Sequence, residues 1–392
     1  MTEEIQPSYS ALLPPTTFTP SFLYFRSRTT MPQSKFWSPI VAQLEPYIPG
    51  EQPASSQLKL NTNESPFPPS PKVMEALNQK AVDDLRRYPD PSSLALRKCI
   101  ADYYSTDAQT LKATQVFVGN GSDEVLAHSF RAFFSGKSAP LLFPDISYSF
   151  YRAYCNLFEI HFESQPLNED FEIDFSLYAK ENAGIIFPNP NAPTSILQPL
   201  AAIEKLLEAN QQSVVIVDEA YIDFGGESAI SLINRYPQLL VVQTLSKSRS
   251  LAGSRLGFAI GSETLIEGLM RVKDSFNSYP VDRLSELAGR ASFADEEYFQ
   301  SCREKLISAR EWTCAKLLEF GFELLPSKAN FVMAKPDRIG AEKLFELLKA
   351  RHVFVRYFAK PRIKDYLRIT IGTQAEMEQF ISHLSEIFEA AS

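Results

Sequence analysis

The chain has 392 residues, 44% of them hydrophobic and 22% charged, and exceeds the length of about 250–300 residues at which one hydrophobic core stops growing. Two domains are expected, and a disordered or fibrous chain is excluded. The formal net charge of -8, with a pI near 5.3, supplies no general field for nucleic acid or an anionic membrane surface, so anionic ligands must be held by local devices. Cys99, Cys155, Cys302 and Cys314 form no CxxC pair, and the sparse histidines complete no zinc set. Reduced thiols, no metal and a cytosolic setting are expected.

Residues 1–33 are rich in Pro, Ser and Thr and carry Glu3 and Glu4 near the start. They are expected to be a disordered or mis-assigned extension rather than a transit peptide, which would be poor in acidic residues. No run of about 18 apolar residues occurs, so no membrane span is expected. From about residue 110 the β-rich apolar runs Gln115–Val118, Pro140–Phe143, Gly184–Phe187, Val214–Val217, Leu239–Gln243 and Leu256–Ile260 alternate with helical stretches. That alternation predicts a doubly wound α/β domain with a mostly parallel, buried sheet, and places the chemistry beyond the carboxyl ends of its strands. After Glu263 the pattern turns helical through Ala291–Leu318, then gives strands at Asn330–Ala334, Val353–Tyr357 and Tyr366–Ile371, with helices at 340–350 and 375–390. A large domain over 81–290 is therefore expected. A smaller α+β domain over 291–392 would be completed by the N-terminal segment 34–80.

Three strand ends carry candidate chemistry. Gln115–Val118 runs into Gly119-Asn120-Gly121-Ser122-Asp123-Glu124, where glycines permit a tight turn and the free amides of a helix start form a phosphate-sized cradle. A plain capped turn with Ser122 or Asp123 at the N-cap is the competing reading. Val214–Val217 ends in Asp218-Glu219-Ala220-Tyr221. A carboxylate there is costly unless paired, and a pyridinium nitrogen is a fitting partner, with a helix N-cap as the competing reading. Leu239–Gln243 runs into Thr244-Leu245-Ser246-Lys247-Ser248 and, eight positions past Lys247, Arg255. Ser246 can donate to a phosphate, Arg255 can clamp it as a fork, and Lys247 is the amine beside it.

These residues, with Ser246-Lys247-Ser248-Arg249-Ser250-Leu251-Ala252-Gly253, resemble the class I/II aminotransferase signature of fold-type I pyridoxal-phosphate enzymes, and most closely that of the histidinol-phosphate aminotransferases. Leu60-Asn61-Thr62-Asn63-Glu64-Ser65-Pro66, Arg87-Tyr88-Pro89-Asp90, Tyr148-Ser149-Phe150-Tyr151, Asn189-Pro190-Asn191-Ala192-Pro193-Thr194 and Leu367-Arg368-Ile369-Thr370 resemble the family in the same order, from about Ser34 to the C-terminus. The resemblance implies pyridoxal 5'-phosphate as cofactor and Lys247 as its Schiff-base lysine. Asp218 would pair with the pyridine nitrogen, and Tyr221 with O3′. Gly121, Ser122, Asp123, Ser246 and Arg255 would lie around the phosphate, with Tyr148 stacked on the ring. It further implies a homodimer with shared sites, Tyr88 reaching the neighbouring subunit's cofactor. One departure stands out: the usual Asn-Pro-Thr-Gly reads Ala192-Pro193-Thr194-Ser195, so Asn191 or Asn189 is expected to replace the missing amide, with Asn191 counted among the site residues, and Ser195 is expected to stiffen the turn.

The implied reaction is transamination between an amino donor, L-histidinol phosphate, and 2-oxoglutarate, with Arg356 and Arg368 facing the anionic end of the substrate. Aminotransferases for aromatic amino acids and threonine-phosphate decarboxylase share much of the pattern. So does the cofactor domain of aminotransferase-like transcription regulators, but residues 1–33 are too short and proline-rich for the helix-turn-helix module those carry.

Overall fold

The computed structural model describes residues 34–44, 50–53 and 57–390, so the reading of 1–33 lies outside the described residues. The described chain falls into two units. The first ends at Gln43 and holds one 3-10 turn, Val41–Gln43. The second runs from Leu44 onward and contains every strand.

The strands of that second unit are β1 (Leu58–Lys59), β2 (Val116–Asn120), β3 (Leu141–Pro144), β4 (Phe162–Gln165), β5 (Gly184–Pro188), β6 (Val214–Asp218), β7 (Leu239–Thr244), β8 (Leu256–Gly261), β9 (Glu323–Leu324), β10 (Phe331–Lys335), β11 (Val353–Phe354), β12 (Arg356–Tyr357) and β13 (Leu367–Thr370). Seven of them form the main sheet in the order β2-β8-β7-β6-β5-β3-β4. The four strands β3, β5, β6 and β7 are buried almost throughout because helices cover both faces, which is why they read as continuous apolar runs. β8 alone runs against its neighbours, antiparallel to β2 and to β7. The connection from Leu245 to Arg255 contains only a 3-10 turn and no crossover helix, and a parallel return needs a crossover of a dozen or more residues. The edge strand β4, missed in the apolar pattern, is polar and half exposed.

A four-stranded sheet, β12-β13-β10-β9, follows the long helix Glu296–Glu319. That helix is separate from Arg283–Phe293, so the single helical stretch expected through Ala291–Leu318 is interrupted at Ala294 and Asp295. The expected strand Val353–Tyr357 is likewise two strands in two sheets: β11 pairs parallel with β1, and β12 pairs antiparallel with β13. Leu58 and Leu60 pack in the same core as Val332, Leu367 and Phe380, so β1 is tied to the C-terminal part of the chain. No helix among the described residues is long and apolar enough to cross a membrane.

Candidate active site

At the carboxyl ends of β2, β6 and β7 lies a cavity of about 370 Å³, bordered by Ser122, Asp123, Tyr148, Asp218, Tyr221, Ser246, Lys247, Arg255, Arg356 and Arg368. Its size suits a small-molecule ligand. Of the residues expected from the sequence, only Gly121, Tyr88 and Asn191 do not line it.

One end of the cavity is built from main chain. The helix Gly121–Phe133 leaves β2 without a turn between them, and its N-cap residue Asn120 makes no side-chain capping bond. The amides of a helix start left uncapped attract an anion. Gly121 has φ +82, and a Cβ there would stand 2.7 Å from Arg255 Nη2. Gly257, on β8, passes so close that a Cβ would meet the Ser122 nitrogen at 2.2 Å. Arg255 Nη2 donates to Asp123 Oδ2 at 3.2 Å, and the Tyr148 hydroxyl donates to Asp123 Oδ1 at 2.7 Å. Thr244, which the sequence reading did not single out, also borders the cavity and donates from Oγ1 to Ser246 Oγ at 3.0 Å.

Lys247 follows the end of β7 on a loop anchored at three points. Ser248 Oγ donates to Asp223 Oδ2, Ser250 Oγ donates to Ser65 Oγ at 2.8 Å, and Arg249 donates to the Ser292 carbonyl at 2.9 Å. The Arg249 guanidinium also lies 4.1 Å from the ring centres of both Phe293 and Phe299. With its neighbours fixed, the Lys247 amine donates to the Thr62 carbonyl at 3.1 Å. Burial pushes the Lys247 ammonium down to about 8; Arg368 and Arg255 push the same way, while Glu64 and Asp123 oppose them.

Asp218 ends β6 and is 5% exposed. Burial raises its carboxyl to about 6, with Tyr151 and the Ala220 amide pulling it down as donors. The Tyr151 hydroxyl donates to Oδ2 at 2.8 Å, whereas Oδ1 is buried with no hydrogen-bond partner among the described residues. Behind it, Glu219 accepts from the Ala229 amide at 2.7 Å and from Gln243 Nε2 at 2.8 Å, which fixes the turn carrying Ala220 and Tyr221. Burial raises Glu219 to about 7.

The asparagine expectation needs correcting. Asn191 is turned away from the cavity: its amide donates to the Ile146 carbonyl at 3.0 Å and to Thr194 Oγ1 at 2.9 Å, and Ala192 occupies the cavity wall. Asn189 is spent on Gln198. The amide that reaches Tyr221 belongs to Asn63, which donates to the Tyr221 hydroxyl at 3.0 Å and is held by Thr370. Asn63 stood in one of the family-like motifs, but nothing in that motif points to a residue 158 positions away. Ser195 does sit where glycine is favoured, at φ +67.

The side of the cavity toward the small sheet is cationic. Arg356 on β12 and Arg368 on β13 both border it, and Arg368 Nη2 donates to the Asn61 carbonyl at 2.8 Å. Tyr88 lies elsewhere, 79% exposed and stacked on Tyr279 with ring centres 4.7 Å apart.

A family model for class I and II aminotransferases matches residues 55–384. Histidinol-phosphate aminotransferase of Pseudomonas syringae is 54% identical over 355 residues, covering 90% of this chain and all of that protein. Histidinol-phosphate aminotransferase 1 of Hydrogenovibrio crunogenus is 55% identical over 357 residues, covering 91% and 99%. In fold, the chain is similar to the crystal structure of histidinol-phosphate aminotransferase from Sinorhizobium meliloti in complex with pyridoxal-5'-phosphate, with a TM-score of 0.80 at 22% identity over 92% of this chain and 100% of that one. Extent and identity together place the chain in the class I and II aminotransferases, and within them in the histidinol-phosphate aminotransferase family.

Proposed function

We propose that the chain transfers an amino group between L-histidinol phosphate and 2-oxoglutarate in histidine biosynthesis, using pyridoxal 5'-phosphate. The carrying observation is Asp218 Oδ1, a buried acceptor with no hydrogen-bond partner among the described residues, in the same cavity as a lysine lowered to about 8. That pair fits the cofactor: a buried carboxylate is costly until a cation meets it, and the amine that meets an aldehyde must be deprotonated.

Pyridoxal phosphate, when bound, supplies an electrophilic aldehyde carbon and a protonated ring that withdraws electrons from the donor's α-carbon. Asp218 keeps the proton on the ring nitrogen. The start of helix Gly121–Phe133, Ser122, Ser246 and Arg255 hold the phosphate, and Tyr221, itself supported by Asn63, hydrogen-bonds O3′. Tyr148 backs the ring. Lys247 Nζ would hold the cofactor at its aldehyde carbon and, as a free amine, would move the proton at the donor's α-carbon as general base. Arg356 and Arg368 hold the donor's phosphate and, in the second half-reaction, the distal carboxylate of 2-oxoglutarate. Two arginines at one point favour a phosphorylated amine over an aromatic amino acid.

Residues 81–290 are read as the cofactor-binding domain and 291–392, with 34–80, as the smaller one. The enzyme acts in the cytoplasm as a homodimer in which Tyr88 reaches the neighbouring cofactor's phosphate. Borohydride treatment of the purified protein followed by peptide mapping tests the cofactor site: the label should sit on Lys247, and Lys247→Ala should lose turnover while keeping its fold. A label on another lysine overturns the assignment. A half-reaction screen of amino donors tests the substrate, and preference for phenylalanine over histidinol phosphate would reject it.

A further inference from the structure

The Asp218 carboxylate is held from behind by a residue to which the reaction above gives no part. Tyr151 belongs to the helix Phe150–Leu157 and is fully buried. Its ring is packed edge-on against Phe143 and Tyr148, with centres 5.9 and 5.7 Å away, and tilted against Phe130. From that fixed ring the hydroxyl reaches Asp218 Oδ2 at 2.8 Å. The two carboxylate oxygens therefore differ: Oδ2 accepts from the tyrosine, and Oδ1 has no hydrogen-bond partner among the described residues.

Without this hydroxyl, only the Ala220 amide would oppose rotation of the carboxylate about its last torsion, which is soft and two-fold. A carboxylate also gains a proton readily in a buried site, where the charged form is disfavoured. A hydroxyl donor opposes both tendencies, since hydrogen bonds to the charged form favour it and are roughly twice as strong as neutral ones.

We propose that Tyr151 is a positioning residue that acts through Asp218: its hydroxyl fixes the carboxylate plane, leaves Oδ1 for the cofactor's ring nitrogen, and keeps the shared proton on that nitrogen. The inference rests on the cofactor reading given above. The bland account is that Tyr151 fills the core and Asp218 merely satisfies a buried hydroxyl. The two differ in what the ring nitrogen experiences.

The test uses the holoenzyme reconstituted with pyridoxal phosphate carrying ¹⁵N in the ring. If the wild-type protein takes up no cofactor, or borohydride labels a lysine other than Lys247, the functional reading fails before this one is reached. Given a correctly labelled wild type, Tyr151→Phe should move the ring-nitrogen resonance from the pyridinium position toward that of neutral pyridine. It should also weaken cofactor binding about tenfold, as loss of one hydrogen bond to a charged group implies. Tyr154→Phe is the control. It deletes a hydroxyl from the same helix, one that donates to the Asp123 carbonyl at 3.0 Å, and should lower the melting temperature comparably without moving the resonance. Should Tyr151→Phe not fold, 3-fluorotyrosine at position 151 keeps the ring and strengthens the donor, and should drive the nitrogen further toward the pyridinium position. A resonance unmoved in Tyr151→Phe, or unmoved with fluorotyrosine, overturns the proposal and leaves Tyr151 as packing.

Discussion

Arg356 and Arg368 are directly opposite each other in the antiparallel pair of β12 and β13, each guanidinium 5.5 Å from the ring centre of Phe358. Like charges in cross-strand opposition destabilise a sheet unless something lies between or before them. An anion bound at the cavity mouth would relieve that repulsion, and a phosphate does so with both its negative charges. Arg368→Ala should therefore cost about 2–5 kcal/mol where the partner charge is left unpaired. In kinetics this means a fall of on the order of a hundredfold or more in kcat/KM for histidinol phosphate. The half-reaction with 2-oxoglutarate should suffer as well, while the absorbance of the resting enzyme stays as it was. Unaltered steady-state kinetics would remove Arg368 from the substrate site.

Lys247 gives a pH dependence with a definite sign. Its ammonium is lowered to about 8, so the neutral amine is the minority form below that pH and the majority above it. Capture of pyridoxal phosphate by the apoprotein, followed by stopped-flow absorbance, should quicken about tenfold per pH unit below 8 and level off above. Arg368 is the largest charged contributor to the lowering, so Arg368→Ala should shift the levelling point to higher pH. A profile flat from pH 6 to 9 would show that the amine is not the titrating group.

Asp218 makes the cofactor-free protein pay for the site. Its carboxyl is raised from 3.8 to about 6, so the folded chain holds a proton that the unfolded chain has released. Its contribution to stability is full below pH 4 and is lost as pH rises through 6, by about 2–3 kcal/mol. Asp218→Asn removes this loss and keeps an oxygen for the Tyr151 hydroxyl. In denaturant titrations of the two apoproteins, the advantage of the variant should grow between pH 4 and pH 6 and then stay constant. Cofactor affinity should move the other way.

Tyr88 tests the shared site. Its ring is exposed on Tyr279 and away from the cavity of its own chain, an arrangement that suits a residue offered to a second subunit. Mixing Tyr88→Phe and Lys247→Ala proteins under subunit exchange should restore activity, because one site of each hybrid dimer then has both residues. The measurement requires Tyr88→Phe alone to be severely impaired. Mixed samples no more active than the separate ones would place Tyr88 outside the neighbouring site.

What was legible in the sequence follows from how each element is buried. β3, β5, β6 and β7 were readable because both their faces are covered and nearly every side chain is apolar. β4 was not, since an edge strand with Glu163 and Ser164 has no apolar run to show. The reversed direction of β8 leaves no mark in hydropathy, which records burial and not polarity. The break between Phe354 and Arg356 was hidden for the same reason: the apolar run continues while the hydrogen-bond partners change from β1 to β13. In the site, Asp218 and Lys247 stood out because a charge at or just beyond the end of a buried strand demands an explanation, and Arg255 because it follows Lys247 by eight positions. Tyr151 and Asn63 did not. An aromatic residue in a helix reads as core, and the reach of Asn63 to Tyr221 exists only once the chain has folded.

The close approach of Gly257 to the Ser122 amide leaves the two ends of the cavity unequally open to change. The phosphate end joins the side chains of Ser122, Ser246 and Arg255 to peptide groups packed so closely that no side chain can be added at 121 or 257. The opposite end consists of Arg356 and Arg368, on strands of two and four residues that can accept other side chains without disturbing the main sheet. A lineage built on this plan inherits its cofactor and chooses its amine. Directed evolution toward new donors should accordingly accumulate substitutions on β12 and β13, and leave the glycines at 121 and 257 untouched.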